Sequence, residues 1–168
     1  KALPSSGESD IERHLAPKGQ DDARALGKLM NTKSYRPGCI ECSPSVRTRE
    51  TLDGLLEMLE APKIHYDQQI YNGGRSELFR LIQGVDSGCD SLMLIGHNPG
   101  IHELAATLAA EGDGSLIGKL MSKFSPGTLC VLDCPKATWA DLQPAENTIA
   151  DYLSPDEYND PARPTRWM

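Results

Sequence analysis

The sequence lacks a long hydrophobic run, and it is poor in aromatic residues and in positive charge. No apolar stretch approaches the roughly 20 residues of a membrane-spanning helix, and the N-terminal residues contain no signal-peptide core. The 17 lysines and arginines are outnumbered by 24 acidic residues, giving a formal net charge of -7. No basic block offsets this charge, which argues against nucleic acid or an anionic membrane as a partner. The expected location is the cytosol.

The five cysteines are odd in number, and several lie in apolar runs, as small hydrophobic residues do. This pattern favours a reducing compartment. Cys39 and Cys42 have the spacing of a metal-binding pair, but the segment between them has the character of a strand. Residues three apart on a strand point to opposite faces, so we expect no zinc site and no other metal here.

The length and composition fit one globular domain, since 168 residues with 39% hydrophobic and 24% charged residues can bury a sizeable core. Short apolar runs alternate with helical spacing, which is typical of an α/β fold. We place the domain at 1-155 and a weakly ordered tail at 156-168. The predicted strands are 39–42, 64–66, 91–95 and 128–132, and the predicted helices are 21–33, 46–59, 77–83, 101–108 and 116–121.

The segment 91–101 is the clearest strand, turn and helix unit. An apolar run ends at Gly96, presents His97 and Asn98, and turns into the helical spacing that starts at Ile101. Ligands of open α/β sheets bind outside the carboxyl ends of the strands, where a following helix N-terminus favours anions. His97 is therefore a candidate for chemistry. A histidine that only caps the strand end is the alternative.

A second such unit places Arg47 and Arg49 within the first turn of the helix that follows the strand 39–42. Cations there oppose the helix dipole, so one of them is expected to meet an anion. A guanidinium group binds phosphate or carboxylate through two parallel hydrogen bonds. Exposed arginines paired with Glu50 or Asp53 remain the alternative.

Four segments in this order resemble the histidine phosphatase superfamily, and within it the SixA-like phosphohistidine phosphatases. They are Arg-His-Leu-Ala-Pro-Lys-Gly at 13–19, Asp-Ala at 22–23, Ser-Pro-Ser-Val-Arg-Thr-Arg-Glu-Thr at 43–51 and Gly-His-Asn-Pro-Gly at 96–100. The resemblance implies a three-layer α/β/α sandwich with a mainly parallel sheet, which is phosphoglycerate mutase-like. It also implies two-step phosphoryl transfer without metal or cofactor.

In that family the nucleophile is a histidine in an Arg-His-Gly or Arg-His-Ala motif at the end of the first strand. Lys1-Ala2 resembles the continuation of this motif, so the motif and its strand are expected upstream of Lys1. Arg13-His14 reproduces the dipeptide but follows a polar run and precedes Leu15, whereas the family has a small residue there. We therefore reject His14 as the nucleophile and expect it to be exposed.

The resemblance assigns roles to four residues of this chain. Arg47 would bind phosphoryl oxygens bidentately, and His97 would bond to the equatorial oxygens and stabilise the transition state. Arg13 would add a third donor, and Asn98 would contribute its backbone N–H. Arg49 is expected to face solvent or to pair with an acid.

No Asp or Glu matches the proton donor of family members that cleave alkyl phosphates, and Glu77 is expected on an exposed helix face. This favours phosphohistidine or another phosphoprotein as the substrate, because an imidazole leaving group needs little protonation. Two alternatives remain. One is a phosphate- or phosphoprotein-binding module without catalysis, and the other is a phosphatase of small phosphorylated metabolites.

Overall fold

The structure, a computed structural model, describes residues 1–4, 7, 9–59, 62–110 and 114–159. None of the helices in these ranges is long and apolar enough to cross a membrane. The helices are α1 (Pro17–Thr32), α2 (Val46–Leu56), α3 (Gln69–Asn72), α4 (Arg75–Gln83), α5 (Gly100–Leu108), α6 (Gly114–Ser122) and α7 (Pro155–Tyr158), with 3₁₀ turns at Asp10–Glu12 and Trp139–Asp141. The strands are β1 (Cys39–Cys42), β2 (Lys63–Tyr66), β3 (Leu92–Ile95), β4 (Leu129–Asp133) and β5 (Thr148–Leu153).

The larger sheet is parallel and has the order β2-β1-β3. Cys42 lies opposite Tyr66 on one side and opposite Ile95 on the other, so the three strands end at the same level. β4 and β5 form an antiparallel pair with an irregularity between Val131 and Leu132. The mixed α/β architecture with a parallel sheet confirms the predicted fold class. It also brings the segments after β1 and β3 side by side.

Three adjoining apolar clusters form the core. Leu52 and Leu55 of α2 pack with Leu26 of α1 and Ile40 of β1 in the first cluster. The second joins α4 and α5 beneath Ile70, and the third joins α5 and α6 to the antiparallel pair. The helices thus bury the apolar faces that their sequence periodicity predicts.

Several boundaries differ from the sequence-based prediction. α1 begins at Pro17, four residues early, because proline suits the first helical position, where its missing N–H has no partner to lose. α2 ends at Leu56 rather than at residue 59. The predicted tail begins with α7, whose N-cap Ser154 and Glu157 form a reciprocal capping box. The remaining tail residues, 160–168, lie outside the described residues.

A disulfide joins Cys39 at the start of β1 to Cys89 before β3, with their Cα atoms 6.0 Å apart. The cysteine pattern, which is that of small hydrophobic residues, does not predict this bond, because the parallel pairing of β1 and β3 brings together two residues 50 positions apart. Cys42 is free and buried, at the other end of β1. Disulfides are more typical of oxidising compartments, and the cytosolic location stays a prediction.

Candidate functional site

The site lies at the carboxyl ends of β1 and β3. Ser43 directly follows β1, and His97 follows β3 by two residues. The Nε2 atom of His97 lies 2.8 Å from the Ser43 hydroxyl oxygen and 3.5 Å from that of Ser45. Both serines are fully buried. The strand-end position that the sequence assigns to His97 therefore places its imidazole directly against the neighbouring strand end.

Glycines allow the chain to pass closely on both sides of His97. A Cβ atom at Gly96 would lie 2.8 Å from a methyl group of Ile70 and 3.0 Å from the side chain of Ile101. A Cβ atom at Gly100 would lie 2.7 Å from the carbonyl oxygen of Gly73. The loop 96–100 is thus packed against the connection between α3 and α4, and this packing fixes the position of the His97 imidazole.

Arg47 reaches the imidazole from the first turn of α2. Its side chain is only 14% exposed, and its Nη2 atom lies 3.2 Å from Nδ1 of His97. Because arginine only donates, Nδ1 must be the acceptor of this bond. The neutral ring then carries its proton on Nε2 and donates it to Ser43. The two contacts together define both the orientation and the tautomer of His97.

The environment keeps His97 uncharged. Burial, and after it the positive charge of Arg47, lowers the pKa of His97 from its ordinary 6.5 to about 4. Desolvation disfavours the charged form of an imidazole, and a nearby cation does the same. At neutral pH the ligand-free site therefore holds a neutral imidazole beside two guanidinium groups.

We expect this lowered pKa to appear in the pH dependence of stability. Between pH 6.5 and about 4, His97 binds a proton in the unfolded chain but not in the folded one. The free energy of unfolding therefore falls as the pH is lowered through this window, and His97→Gln should flatten that fall. Urea denaturation of wild type and His97→Gln at several pH values in this range measures the free energy of unfolding of each protein.

His65→Gln is the matched control, because the hydrogen bond that its imidazole donates to Glu41 raises the pKa of His65. The stabilisation from His65 is complete below the ordinary value of 6.5 and is lost as the pH rises through its raised folded-state pKa. His65→Gln should change the profile only above about pH 6.5. Equal slopes for His97→Gln and wild type below that pH would contradict the buried, neutral imidazole.

A carboxylate already occupies the arginine donors. Oδ1 of Asp10 lies 2.9 Å from Nη2 of Arg13, and Oδ2 lies 3.0 Å from Nη2 of Arg47 and 2.9 Å from the hydroxyl of Tyr71. Nη1 of Arg47 also donates to the Asp10 carbonyl at 2.5 Å. The Tyr71 hydrogen bond, with the charges of both arginines, holds the pKa of Asp10 below its usual value.

Tyr71 forms one wall of this cluster. Its ring meets the His97 ring edge to face, with the centroids 5.4 Å apart. The Arg47 guanidinium carbon lies 5.7 Å from the centre of the Tyr71 ring, within cation–π range. The same side chain therefore contacts the imidazole, the guanidinium group and the carboxylate.

Three of the four predicted site residues come together. Arg13 and Arg47 share the Asp10 carboxylate, and both charges contribute to the lowered pKa of His97. The Asn98 side chain is engaged elsewhere, because its amide donates to the carbonyl of Phe124 at 2.7 Å. A role for the backbone N–H of Asn98 stays a prediction.

The structure also shows what His14, Glu50 and Arg49 contact. The imidazole of His14 lies 2.6 Å from Glu50, which also accepts the backbone N–H of Leu15. Glu50 thus holds the segment after Arg13 rather than Arg47. Arg49 is exposed and lies over the ring of Tyr66, 4.9 Å from its centre. Arg49 is therefore outside the cluster, and its partner is an aromatic ring rather than an acid.

Sequence reasoning missed Asp10, Ser43 and Tyr71 as members of the site. Ser43 carried a signal, since it directly follows a predicted strand parallel to the one before His97. Asp10 lies in a polar run, and Tyr71 lies in the short helix α3, which is not among the helices predicted from the sequence. Neither position shows a periodicity that would mark it.

The cluster has the charge of an anion site. Its fixed cations are two guanidinium groups, which favour phosphate or carboxylate through charge-assisted hydrogen bonds. In the part of the chain that the structure describes, no group of three or more His, Cys, Asp or Glu side chains could hold a metal ion.

Two mycobacterial relatives match 80 to 92% of this chain. Protein Rv1276c of Mycobacterium tuberculosis (strain ATCC 25618 / H37Rv) is 27% identical over 157 residues, 92% of this chain and 97% of its own length. Protein ML1117 of Mycobacterium leprae (strain TN) is 25% identical over 136 residues, 80% of this chain and 82% of its own. Both are named as uncharacterized proteins, and no family model matches the chain.

Two solved structures are similar over the same span. A protein provisionally named phosphohistidine phosphatase SixA from Nakamurella multipartitia superposes with a TM-score of 0.80 at 25% identity, over 92% of this chain and 90% of its own. A second, provisionally so named, from Agrobacterium tumefaciens gives 0.75 at 28% identity over 92% of each. The chain is SixA-like, within the histidine phosphatase superfamily.

The SixA-like fold explains the layout of the site. A further structure, of protein histidine phosphatase SixA complexed with tungstate, has the same fold, with a TM-score of 0.74 at 19% identity over 92% of each chain. This phosphoglycerate mutase-like architecture agrees with the parallel sheet and flanking helices described above. In the SixA-like chain, Arg47 at the start of α2 and His97 in the loop after β3 follow neighbouring strands, at the carboxyl ends of the sheet.

Proposed function

We propose that this chain belongs to a phosphatase that removes the phosphoryl group of phosphohistidine, or of another phosphoprotein, through a covalent phosphohistidine intermediate. The observation that supports this is the convergence of Arg13, Arg47 and His97 from three separate segments. The two arginines share the Asp10 carboxylate, and Arg47 also contacts His97. The donors of the two arginines already bind an anionic group of this chain, and a phosphoryl dianion offers the same kind of acceptor with more charge.

Each of the three residues has a distinct task in the proposal. Arg47 is held close to His97 and would place its planar donors on two phosphoryl oxygens. Arg13 would bind a third oxygen. His97 would stabilise the charge that spreads over the equatorial oxygens during transfer. The positive charge in this mechanism comes from guanidinium groups rather than from a metal ion, and the backbone N–H of Asn98 would be a further donor.

The attacking imidazole in this proposal is that of a histidine in the Arg-His-Gly or Arg-His-Ala motif that the family resemblance implies. Its nitrogen forms a bond to phosphorus as the bond from phosphorus to the leaving group breaks. Water then attacks phosphorus, the new N–P bond breaks, and inorganic phosphate is released. An imidazole leaving group needs little protonation, and Glu77 lies on the exposed face of α4. Phosphohistidine is therefore the favoured substrate.

The test is an assay of the full-length gene product with a histidine-phosphorylated protein and, separately, with sugar phosphates. Release of phosphate from phosphohistidine, with a phosphorylated enzyme intermediate visible in the intact mass after an acid-free quench, is the expected result. Release from sugar phosphates alone would instead assign a phosphatase of small metabolites.

A binding module without catalysis is the second candidate, and one observation favours it. His97 lies in the cluster with both ring nitrogens engaged, by Arg47 and Ser43, and His14 is paired with Glu50. Neither imidazole is arranged to attack phosphorus. A full-length protein that binds inorganic phosphate or a phosphoprotein but releases no phosphate from any substrate would establish this function.

A further inference from the structure

Asp10 holds the position that an incoming anion would take on the two arginines. Its carboxylate contacts Arg13 at the end of its own 3₁₀ turn, Arg47 of α2 and Tyr71 of α3, at 2.9 to 3.0 Å. Its backbone carbonyl takes the remaining terminal nitrogen of Arg47. Both terminal nitrogens of Arg47 are thus bonded within this chain before any ligand arrives.

The segment that carries Asp10 is weakly anchored. Asp10 begins a single 3₁₀ turn in which no residue is buried, and its own side chain is 54% exposed. Exposed ion pairs of this type each contribute little stability, because water solvates the separated charges well. Moving Asp10 away would therefore cost little buried surface. Local segments with few buried contacts open more easily than the core.

The donor set around Asp10 is also incomplete. Nε of Arg13 is buried and has no hydrogen-bond partner among the described residues. A buried N–H without an acceptor is unfavourable, so an additional acceptor at this position would stabilise the site. The Asp10 carboxylate meets only Nη2 of Arg13, whereas a tetrahedral oxyanion has oxygens for several donors at once.

We propose that Asp10 is an internal competitor of the phosphoryl group. Its carboxylate occupies the donors of Arg13 and Arg47 until a ligand displaces it and the segment 9–12 moves outward, while Arg13 stays in the cluster. This inference rests on the proposed function, because it takes the arginine cluster as the phosphoryl site. Asp10 sets the affinity of the site by adding the cost of its own displacement to binding. Only an anion that satisfies the two arginines better than one carboxylate replaces it.

The test is calorimetric titration of this chain with inorganic phosphate at neutral pH, comparing wild type with Asp10→Asn and Asp10→Ala. Both variants should bind phosphate about tenfold more tightly than wild type. The reason is that phosphate no longer has to break the three weak contacts of the Asp10 carboxylate. Glu12→Gln is the matched control. It removes the same charge from an exposed position in the same 3₁₀ turn, and it should change the affinity less than about twofold.

Hydrogen exchange of backbone amides distinguishes displacement of Asp10 from simple repulsion between its carboxylate and phosphate. Phosphate should accelerate exchange of the Glu12 and Arg13 amides, which donate to Ser9 and Asp10 in the ligand-free state. Slower exchange with phosphate, or variants at Asp10 that bind no more tightly than wild type, would overturn the competition. Phosphate binding by wild type that is lost in Arg47→Ala supports the proposed function independently of Asp10. Absence of binding in all variants would overturn both.

Discussion

Arg47→Ala should lower turnover of phosphohistidine by the full-length protein about a thousandfold while leaving the fold intact. Arg47 is the most buried cation of the cluster, and its Nη2 atom contacts both His97 and Asp10. Its removal leaves Arg13 as the remaining guanidinium group of the cluster. Steady-state rates of phosphate release, with thermal unfolding of the same samples, measure both parts of the prediction.

The stability of this variant is expected to change little. A cation in the first turn of α2 opposes the helix dipole, and its ion pair with the half-exposed Asp10 contributes about 1 kcal/mol or less. Arg49→Ala is the control, because Arg49 is two residues later on the same helix and stacks on Tyr66 outside the cluster. Near-normal turnover in Arg47→Ala, or an equal loss in Arg49→Ala, would remove Arg47 from the mechanism.

The parts of the site that follow strands could be predicted from the sequence. The apolar run before Gly96 and the strand 39–42 mark two parallel strands, and parallel strands present their carboxyl ends at one edge. That rule places His97 and Arg47 at the same edge of the sheet, and the observed pairing of β1 with β3 makes them neighbours. The unfavourable place of Arg47 at a helix N-terminus correctly indicated an anionic partner, although the partner is Asp10 rather than a residue of its own helix.

The parts that depend on long-range packing could not be predicted in this way. Asp10 reaches Arg47 because the segment after Lys1 folds back, with Leu3 bonded to the carbonyl of His14, and no local pattern encodes that return. The Cys39–Cys89 disulfide requires the register of β1 against β3. β5 was missed because only some of its residues are buried, so its alternation is weak.

His97→Ala should lower turnover about a hundredfold or more, since it removes a group that stabilises transition-state charge. The ligand-free imidazole cannot donate from Nδ1, because that atom accepts from Arg47. A bound dianion changes this, because negative charge nearby raises the pKa of His97 from about 4 and favours the protonated ring. Nδ1–H then becomes a donor for a phosphoryl oxygen.

Proton uptake distinguishes this charge-dependent role from a purely structural one. Sulfate has no protonation step near neutral pH. When it binds sulfate, wild type should take up a fraction of a proton, and His97→Ala should take up none. Calorimetry in two buffers of different ionisation enthalpy measures that difference. His14→Ala, which removes an imidazole paired with Glu50, should leave both uptake and turnover nearly unchanged. Equal proton uptake by wild type and His97→Ala would mean that the imidazole stays neutral. Its contribution to turnover would then be limited to positioning the Arg47 side chain through the 3.2 Å contact.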